Sequence, residues 1–588
     1  DQSHELVKNN ASGSNVLKYL LYRLNNKILK KQYKYGGCAL LSNLNLNFGC
    51  VPFDRMPFNT SLINHNPKLS DLFDCLDSAG REHELFARYI KNNTEMKGQL
   101  YTPKAEIKEF DNTDELITRH NNALYYKHGH RKIEKFKKHF YIQGYEQDTL
   151  QILEKLKDLS SAGIKNYSSS VDSWLTTAAH PIDSEEKKEK LRLMFENSHV
   201  ALVYGSAGTG KTTLINHVSN FFNDRKKLYL TNTNPAIDNL KRRVNASNCS
   251  FMTITKFLSE RNEETQFDLL IIDECSTVSN LDMLKVLEKA SFKLLILVGD
   301  VYQIESIRFG NWFSVAQSFI SSSSVFELVK PYRTKNIKLL DLWGRVRNID
   351  DTILEHITKN GYSIALDDSI FDHSNEDEII LCLNYDGLYG INNINKFLQS
   401  NNPNPAIQWG VQTYKVNDPI LFNESERFTP LIYNNLKGKI AGIKVLEEQI
   451  QFDIELDKTI NEFEAAYYEF QLLDNSENGN SVIRFLVNKH MSTDEDEESS
   501  SAVVPFQVAY AVSIHKAQGL EYSSVKVVIT DEIEELVTHN IFYTAITRAK
   551  EELKIYWTPE AEKKILSDLK KRDSSRDVAL LKLRMSQS

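Results

Sequence analysis

Eight consecutive residues, Gly205-Ser206-Ala207-Gly208-Thr209-Gly210-Lys211-Thr212, have the spacing G-x-x-x-x-G-K-[ST] of a phosphate-binding loop. Glycines there let backbone N–H groups close around a phosphate at a helix N-terminus, where the dipole favours an anion. Lys211 is placed to reach β- and γ-phosphates, and the Thr212 hydroxyl, with Thr213 beside it, suits a Mg²⁺ ligand. Two carboxylates, Asp273 and Glu274, follow at the end of a separate apolar run. Asp273 is expected to hold Mg²⁺, and Glu274 to orient and deprotonate an attacking water. Further on, Gly299-Asp300 precedes Gln303, an amide placed to sense loss of the γ-phosphate. These residue types predict a site for a nucleoside triphosphate, ATP, with Mg²⁺.

The elements that must hold these groups are legible in the same stretch. Residues 200–204 read as a buried strand and 214–222 have helical spacing, so the glycine loop lies between strand and helix, as phosphate binding requires. The run 267–272 (FDLLII) reads as a buried parallel strand that delivers the carboxylate pair, and 294–298 as another ending at Gly299-Asp300. From residue 198 to 330 strands alternate with helical runs, the pattern of a doubly wound parallel sheet. A second such unit begins near 331 and resumes near 505. Between its halves, 439–457 alternates apolar and polar residues, as a small antiparallel barrel does.

Further motifs follow in order. Thr231-Asn232-Thr233-Asn234 precedes Ala236, Asp238 and Asn239, and Thr253-Ile254-Thr255-Lys256-Phe257 comes next. Then come 299–303 (GDVYQ), 331–334 (PYRT), 511–521 (AVSIHKAQGLE) and 543–550 (YTAITRAK). With the strand and turn at 380–392, this order resembles the superfamily 1 helicases, nearest their RecD-like branch, over residues 198 to 557. The resemblance implies an α/β fold of tandem RecA-like P-loop domains with a small β-rich insertion and a separate N-terminal mixed or α-rich domain. It implies that Tyr332 stacks on adenine, that Arg333 and Arg548 meet the γ-phosphate, and that Gly519 and Glu521 belong to the nucleotide site. Arginine fingers of this kind neutralise the charge that develops as the γ-phosphate leaves. Strand contacts are implied at Thr231, Asn232, Thr233, Thr255, Ser513 and His515. Phe309 and Trp312, just past 299–303, suit either stacking on bases or a place in the core. The expected domains are an accessory region 1–175, a first lobe 176–330, a second lobe 331–410 with 505–588, and an insertion 411–504.

Composition bounds the rest. At 588 residues the chain has room for about three or four domains. With 41% hydrophobic and 26% charged residues it has a globular composition, without an apolar run of membrane-spanning length or a signal peptide pattern. The six cysteines (Cys38, Cys50, Cys75, Cys249, Cys275, Cys382) include no C-x-x-C pair, which argues against a zinc or iron–sulfur site and suits a reducing cytoplasm. The first residue is Asp1 rather than Met, as in a fragment of a longer polypeptide. The net charge of −8 misleads until it is located. Much of the acid lies in 494–498 (DEDEE), expected as a disordered surface loop, whereas 127–138, 241–243 and 570–572 are basic and set phosphate affinity locally.

Residues 1–175 match no familiar pattern. An amphipathic helix with a basic face is expected at 16–31 and another helix at 149–159, while 36–67, rich in Asn, Pro and Phe, resists assignment. His120, His128, His130 and His139 lack metal-ligand spacing, so 127–138 is expected to be a solvated basic helix. Tyr125, Tyr126, Phe136, Phe140 and Tyr141 suit base stacking or the core face of a helix. Two departures from the family pattern matter. The stretch 185–197 contains no Gln of the kind relatives use to read adenine, and only nine residues lie between Arg243 and Thr253, too few for a strand-splitting pin domain. The motifs together predict an ATP-dependent translocase or helicase on single-stranded nucleic acid, DNA favoured. Movement is expected 5′ to 3′, because His515-Lys516-Ala517-Gln518-Gly519 resembles the RecD-like form. The alternative is a nucleic-acid-gated ATPase switch in a larger assembly, which the missing pin favours. No nuclease motif is recognisable, so any cleavage is expected from a protein partner or a further segment. No membrane partner is expected.

Overall fold

The computed structural model describes residues 5, 8, 9 and 80–587, apart from 179, 261–265, 307, 373–376, 386, 411, 424–425, 490–500 and 531–536. The helix expected at 16–31, the stretch 36–67 and the acidic run 494–498 lie outside the described residues.

The apolar runs on either side of the glycine loop become the middle of a six-stranded sheet. Its order is Cys249–Thr253, Lys227–Thr231, Gln266–Ile272, Ser291–Gly299, Val200–Gly205, Val325–Leu328, and every pairing is parallel. A parallel sheet carries helices on both faces, so its strands are apolar throughout rather than alternating. Every residue of Val200–Gly205 is buried. One face packs on Phe195, Leu214, Val218 and Leu240; the other packs on Ile254, Phe257, Met283 and Val286. Sites in such sheets form beyond the carboxyl ends of the strands, where all the sequence motifs of this lobe cluster.

Five more strands form a second parallel sheet, ordered Ser363–Ala365, Ala549–Trp557, Tyr522–Val528, Glu378–Cys382, Ala511–Ser513. Leu342, Trp343, Val527, Ile555 and Trp557 fill one side of it. Between the halves of this lobe lies a six-stranded antiparallel sheet built on the hairpin Lys437–Val445 and Gln449–Leu456. Ile450, Phe452, Ile454 and Leu456 point inward in alternation, as the pattern at 439–457 predicts. Phe506–Val508 pairs with Pro419–Phe422 in this sheet, so the insertion extends past the expected boundary at 505, because Phe506 fills its core beside Phe422 and Phe452.

Two further elements differ from expectation. The C-terminal helix Ser575–Met585 does not pack with the second lobe: Leu580 and Leu581 enter the first lobe's core beside Tyr101, Tyr141 and Leu156. The buried Asp577 fixes it there, accepting the N–H groups of Leu100 (2.9 Å) and Tyr101 (3.1 Å). The His-rich basic stretch is not a helix. A 3-10 turn, Tyr126–Arg131, leads into a hairpin of Ile133–Phe136 and His139–Ile142, closed by Lys137 with φ +54°. Ile133, Phe140, Tyr141 and Ile142 are buried, and this apolar packing outweighs the charge density that suggested a solvated helix. Phe140 and Tyr141 are core residues, whereas Tyr125 and Tyr126 are exposed.

Candidate active site

The loop after Val200–Gly205 turns through Gly208, whose φ of +76° is left-handed and favours glycine. A Cβ there would also lie 2.3 Å from Cβ of Arg333, so bare backbone is needed for the inter-lobe segment to approach. The helix Lys211–Phe221 then starts with its N-terminus facing the loop. The Lys211 ammonium donates to the carbonyls of Gly205 (2.8 Å) and Ser206 (2.9 Å), curled back over the cradle it would serve. Burial pushes its pKa down, while Asp300 and Asp273 oppose that shift.

From Gln266–Ile272 come the paired carboxylates. Asp273 accepts the Glu274 N–H at 2.8 Å, and Glu274 has a left-handed φ of +55°, a strained turn of the kind found at working sites. Burial raises the Asp273 carboxyl above its usual range. Burial, and then the neighbouring Asp273, push Glu274 up to about 7, against the pull of Arg548 and Lys211. At the end of Ser291–Gly299, Asp300 accepts the Tyr302 N–H at 3.1 Å. Buried Oε2 of Glu274 and Oδ2 of Asp300 accept no hydrogen bond from any described residue. Hydroxyl and carboxylate oxygens are the hard donors that Mg²⁺ takes, so Thr212 and Asp273 fit this cation.

The second lobe closes the site. The Tyr332 N–H donates to the Gly208 carbonyl, and the Ala207 N–H to the Tyr543 hydroxyl at 3.4 Å. Arg333 donates to the Thr547 carbonyl (2.8 Å) and is ion-paired with Glu521 (2.7 Å). Arg548 is buried; its Nε donates to the Thr544 carbonyl (3.0 Å) and its Nη1 to that of Leu520 (3.1 Å). Burial and the nearby Arg333 lower its pKa to about 10. Lys211, Arg333 and Arg548 line one cleft, a set of cations that suits a polyanion. Contacts also cross behind the site: the Ile304 N–H donates to Thr544 Oγ1 (2.9 Å), and Asn540 donates to the Gln303 carbonyl (3.0 Å).

The result is a cleft of about 330 Å³ walled by both lobes. It brings together Ala207, Gly208, Thr209, Gly210, Lys211, Thr212, Thr213, Asp273, Glu274, Gln303, Tyr332, Arg333, Gly519, Glu521 and Arg548. Gly205 and Ser206 lie just behind it, at the Lys211 ammonium. Asn239, Arg243 and Ser276 also line the cleft; sequence reasoning placed Asn239 in the motif that starts at Thr231 and Arg243 in a basic triplet, and assigned none of the three to the nucleotide site. Arg243 stands out in sequence only as the end of a basic triplet, and no motif spacing marks it.

The positions expected to touch a strand divide. Thr255 and His515 are exposed, and so is Asn232, whose Nδ2 donates to the Thr277 carbonyl at 2.9 Å. Thr233 caps the helix Asn234–Arg243. Thr231 is buried and donates to the Thr233 carbonyl at 2.8 Å; the buried Ser513 hydroxyl accepts the Lys516 N–H at 3.2 Å. These two hydroxyls hold their own loops together. Phe309 and Trp312 are not stacking residues. Both lie in the first lobe's core, and Trp312 Nε1 donates to the Val278 carbonyl at 2.9 Å, which satisfies a buried indole.

Two family descriptions match the chain, an AAA domain over residues 184–365 and a UvrD-like helicase C-terminal domain over 508–556. An ATP-dependent DNA helicase Pif1 of Campylobacter jejuni is 24% identical over 63% of this chain and 91% of its own length. The RecBCD enzyme subunit RecD of Buchnera aphidicola is 23% identical over 62% of this chain and 71% of its own. These matches make the chain similar to superfamily 1 helicases of the RecD-like branch. An uncharacterized protein of Methanocaldococcus jannaschii is 24% identical over 93% of this chain, which spans 51%, about half, of that relative's length. Among the described residues no helix is long and apolar enough to cross a membrane.

Proposed function

We propose that this chain is an ATP-driven translocase on single-stranded nucleic acid, taking DNA in preference to RNA and moving 5′ to 3′. The observation that carries the reading is the shared cleft, in which Lys211 and the Asp273–Glu274 pair from one lobe face Arg333 and Arg548 from the other. In this reading the loop 205–212 and Lys211 cradle the phosphates of ATP, and Tyr332 supports the base. Glu274 takes a proton from the attacking water, and Gln303 reports on the γ-phosphate. Mg²⁺ on Thr212 and Asp273 neutralises phosphate charge when bound. Arg333 and Arg548 stabilise charge that develops only in the transition state, so hydrolysis requires the lobes to close and its completion frees them to open. Alternate closure and opening moves the lobes along a strand contacted at Asn232, Thr233, Thr255 and His515.

DNA is favoured because one relative's name specifies a DNA helicase, and a protein partner because another is a RecBCD subunit. Direction rests on the resemblance of 515–519 to the RecD-like form. Residues 1–175 serve as an accessory region, and the insertion, which includes Phe506–Val508, lies over the nucleic acid. ATP turnover measured with no polymer, single-stranded DNA, single-stranded RNA and duplex tests the reading. Strong stimulation by single-stranded DNA is expected. Equal turnover in all four conditions would refute it.

A further inference from the structure

The most exposed large apolar side chains among the described residues are Tyr467, at 89%, and Phe463, at 86%. They stand together at one turn of the insertion, and a groove of about 710 Å³ opens beside them. The turn is rigidly mounted. Asn461 and Glu464 form a reciprocal cap on the helical turn Glu462–Ala465, and Ala465 is buried. Just beyond, Tyr468 stacks on Phe470 (5.8 Å, 15° between planes), which packs edge-on to Phe428 in the insertion's core. Phe463 and Tyr467 are thus held out in water by a fixed base, although burying such rings is worth about 2 kcal/mol or more each.

The opposite wall of the groove belongs to the first lobe. It is formed by Thr253 and Lys256 at the carboxyl end of Cys249–Thr253, and by Lys241 from the helix Asn234–Arg243. Thr255, the exposed hydroxyl assigned above to the strand, lies in the same turn as Lys256. Of the groove's acids, Asp238 pairs with Lys458 (3.3 Å) and the Tyr433 hydroxyl, and the exposed Glu464 carboxylate accepts from the Asn461 amide (2.8 Å). What faces outward is aromatic on one side and, on the other, Lys241 with Lys256, the latter in an exposed ion pair with Glu260 (3.4 Å) that a phosphate can displace. Single-stranded nucleic acid has this complementarity, with π-faces for stacking and phosphates for ammonium groups.

We propose that Phe463 and Tyr467 form a base-stacking platform for the single strand as it passes the first lobe, with Lys241 and Lys256 against its phosphates. This rests on the single-strand reading above and adds a site that it does not need. Bases gripped by stacking between lobe and insertion would also meet an incoming duplex at a rigid aromatic edge. That gives strand separation a wedge without a pin between Arg243 and Thr253.

The test is anisotropy binding of two labelled oligonucleotides of equal length, one with normal bases and one with abasic sites. The full chain is compared with Phe463→Ala/Tyr467→Ala, whose changes lie in water and whose melting temperature is measured alongside. The variant is expected to bind the base-bearing strand at least about tenfold more weakly, and the abasic strand as well as the parent does. Equal affinity of parent and variant for the base-bearing strand would overturn the platform, leave the single-strand reading standing, and assign the aromatic pair to a protein contact. Equal loss on both strands would also overturn it. A parent chain that binds neither strand would refute the single-strand reading and the platform with it.

Discussion

Replacing Glu274 by Gln should move activity and stability in opposite directions. The Glu274 carboxyl is pushed from 4.5 to about 7, chiefly by burial and then by Asp273. Such a displacement corresponds to roughly 3 kcal/mol against the ionised form, and because the side chain is only half-buried, screening reduces this to about 2 kcal/mol. A carboxyl whose folded value is raised costs nothing below 4.5, where both states hold the proton. The cost grows as pH rises and is complete above about 7, where both states are ionised. The neutral amide escapes it. Glu274→Gln should therefore melt higher at about pH 8, by roughly 4–8 °C for a lobe-sized unit, with no gain near pH 4.5. Turnover should fall about 10²–10⁴-fold, because the water loses its base, while ATP affinity holds. Lys211→Ala is the contrasting case and should weaken ATP binding itself. The assays are thermal melts at both pH values, steady-state hydrolysis and equilibrium ATP binding. Near-normal turnover in Glu274→Gln, or a stability gain that ignores pH, would refute the reasoning.

The second lobe's arginines should act on rate. Arg333→Ala and Arg548→Lys should lower hydrolysis by about 10³-fold or more with little change in ATP affinity, and a loss confined to affinity would remove them from the transition state. For the free enzyme, kcat/KM for ATP should rise with pH to a plateau with a midpoint near 7, since only ionised Glu274 is a base; a flat profile between pH 5.5 and 8.5, about a unit and a half either side, would contradict that role. The base end of the cleft should discriminate weakly. Lys187 is buried, ion-paired with Asp183, and lies over the Tyr332 ring at 4.5 Å, where it offers donors and no acceptor. ATP and GTP should be hydrolysed with kcat/KM within about tenfold, against the 10⁴–10⁵ that a built hydrogen-bond readout gives; strong ATP selectivity would rule this out.

What could be read in the sequence follows the range of the forces involved. Strands that are apolar throughout, such as 267–272, announce a parallel sheet locally, and the glycine loop needs only its own eight residues. Arg333 and Arg548 are legible because order along the chain stands in for geometry: each lies beside a motif, and folding brings both to one cleft. Arg243 escapes this reasoning, since it reaches the cleft from a helix end, and the contact of Tyr543 with Ala207 across the lobes is not implied by its place in 543–550. Trp312 and Phe309 follow a motif yet serve the core, a choice decided by packing against Val278 and Tyr145 that no local spacing encodes. The hairpin at 133–142 is hidden by its lysines, because charge density masks the few apolar side chains, Ile133 and Phe140 to Ile142, that packing buries. The C-terminal helix belongs with the first lobe for a reason only the folded chain supplies, the backbone groups of Leu100 and Tyr101 that Asp577 satisfies.

Conversion of hydrolysis into directed movement is tested most directly by displacement of streptavidin from a biotin placed at either end of a single-stranded DNA. ATP-dependent displacement should be faster from the 3′ end, as 5′-to-3′ movement requires, and should fail in Glu274→Gln. Faster displacement from the 5′ end would contradict the direction. Sustained ATP hydrolysis with no displacement from either end would contradict translocation itself and leave a clamp-like switch.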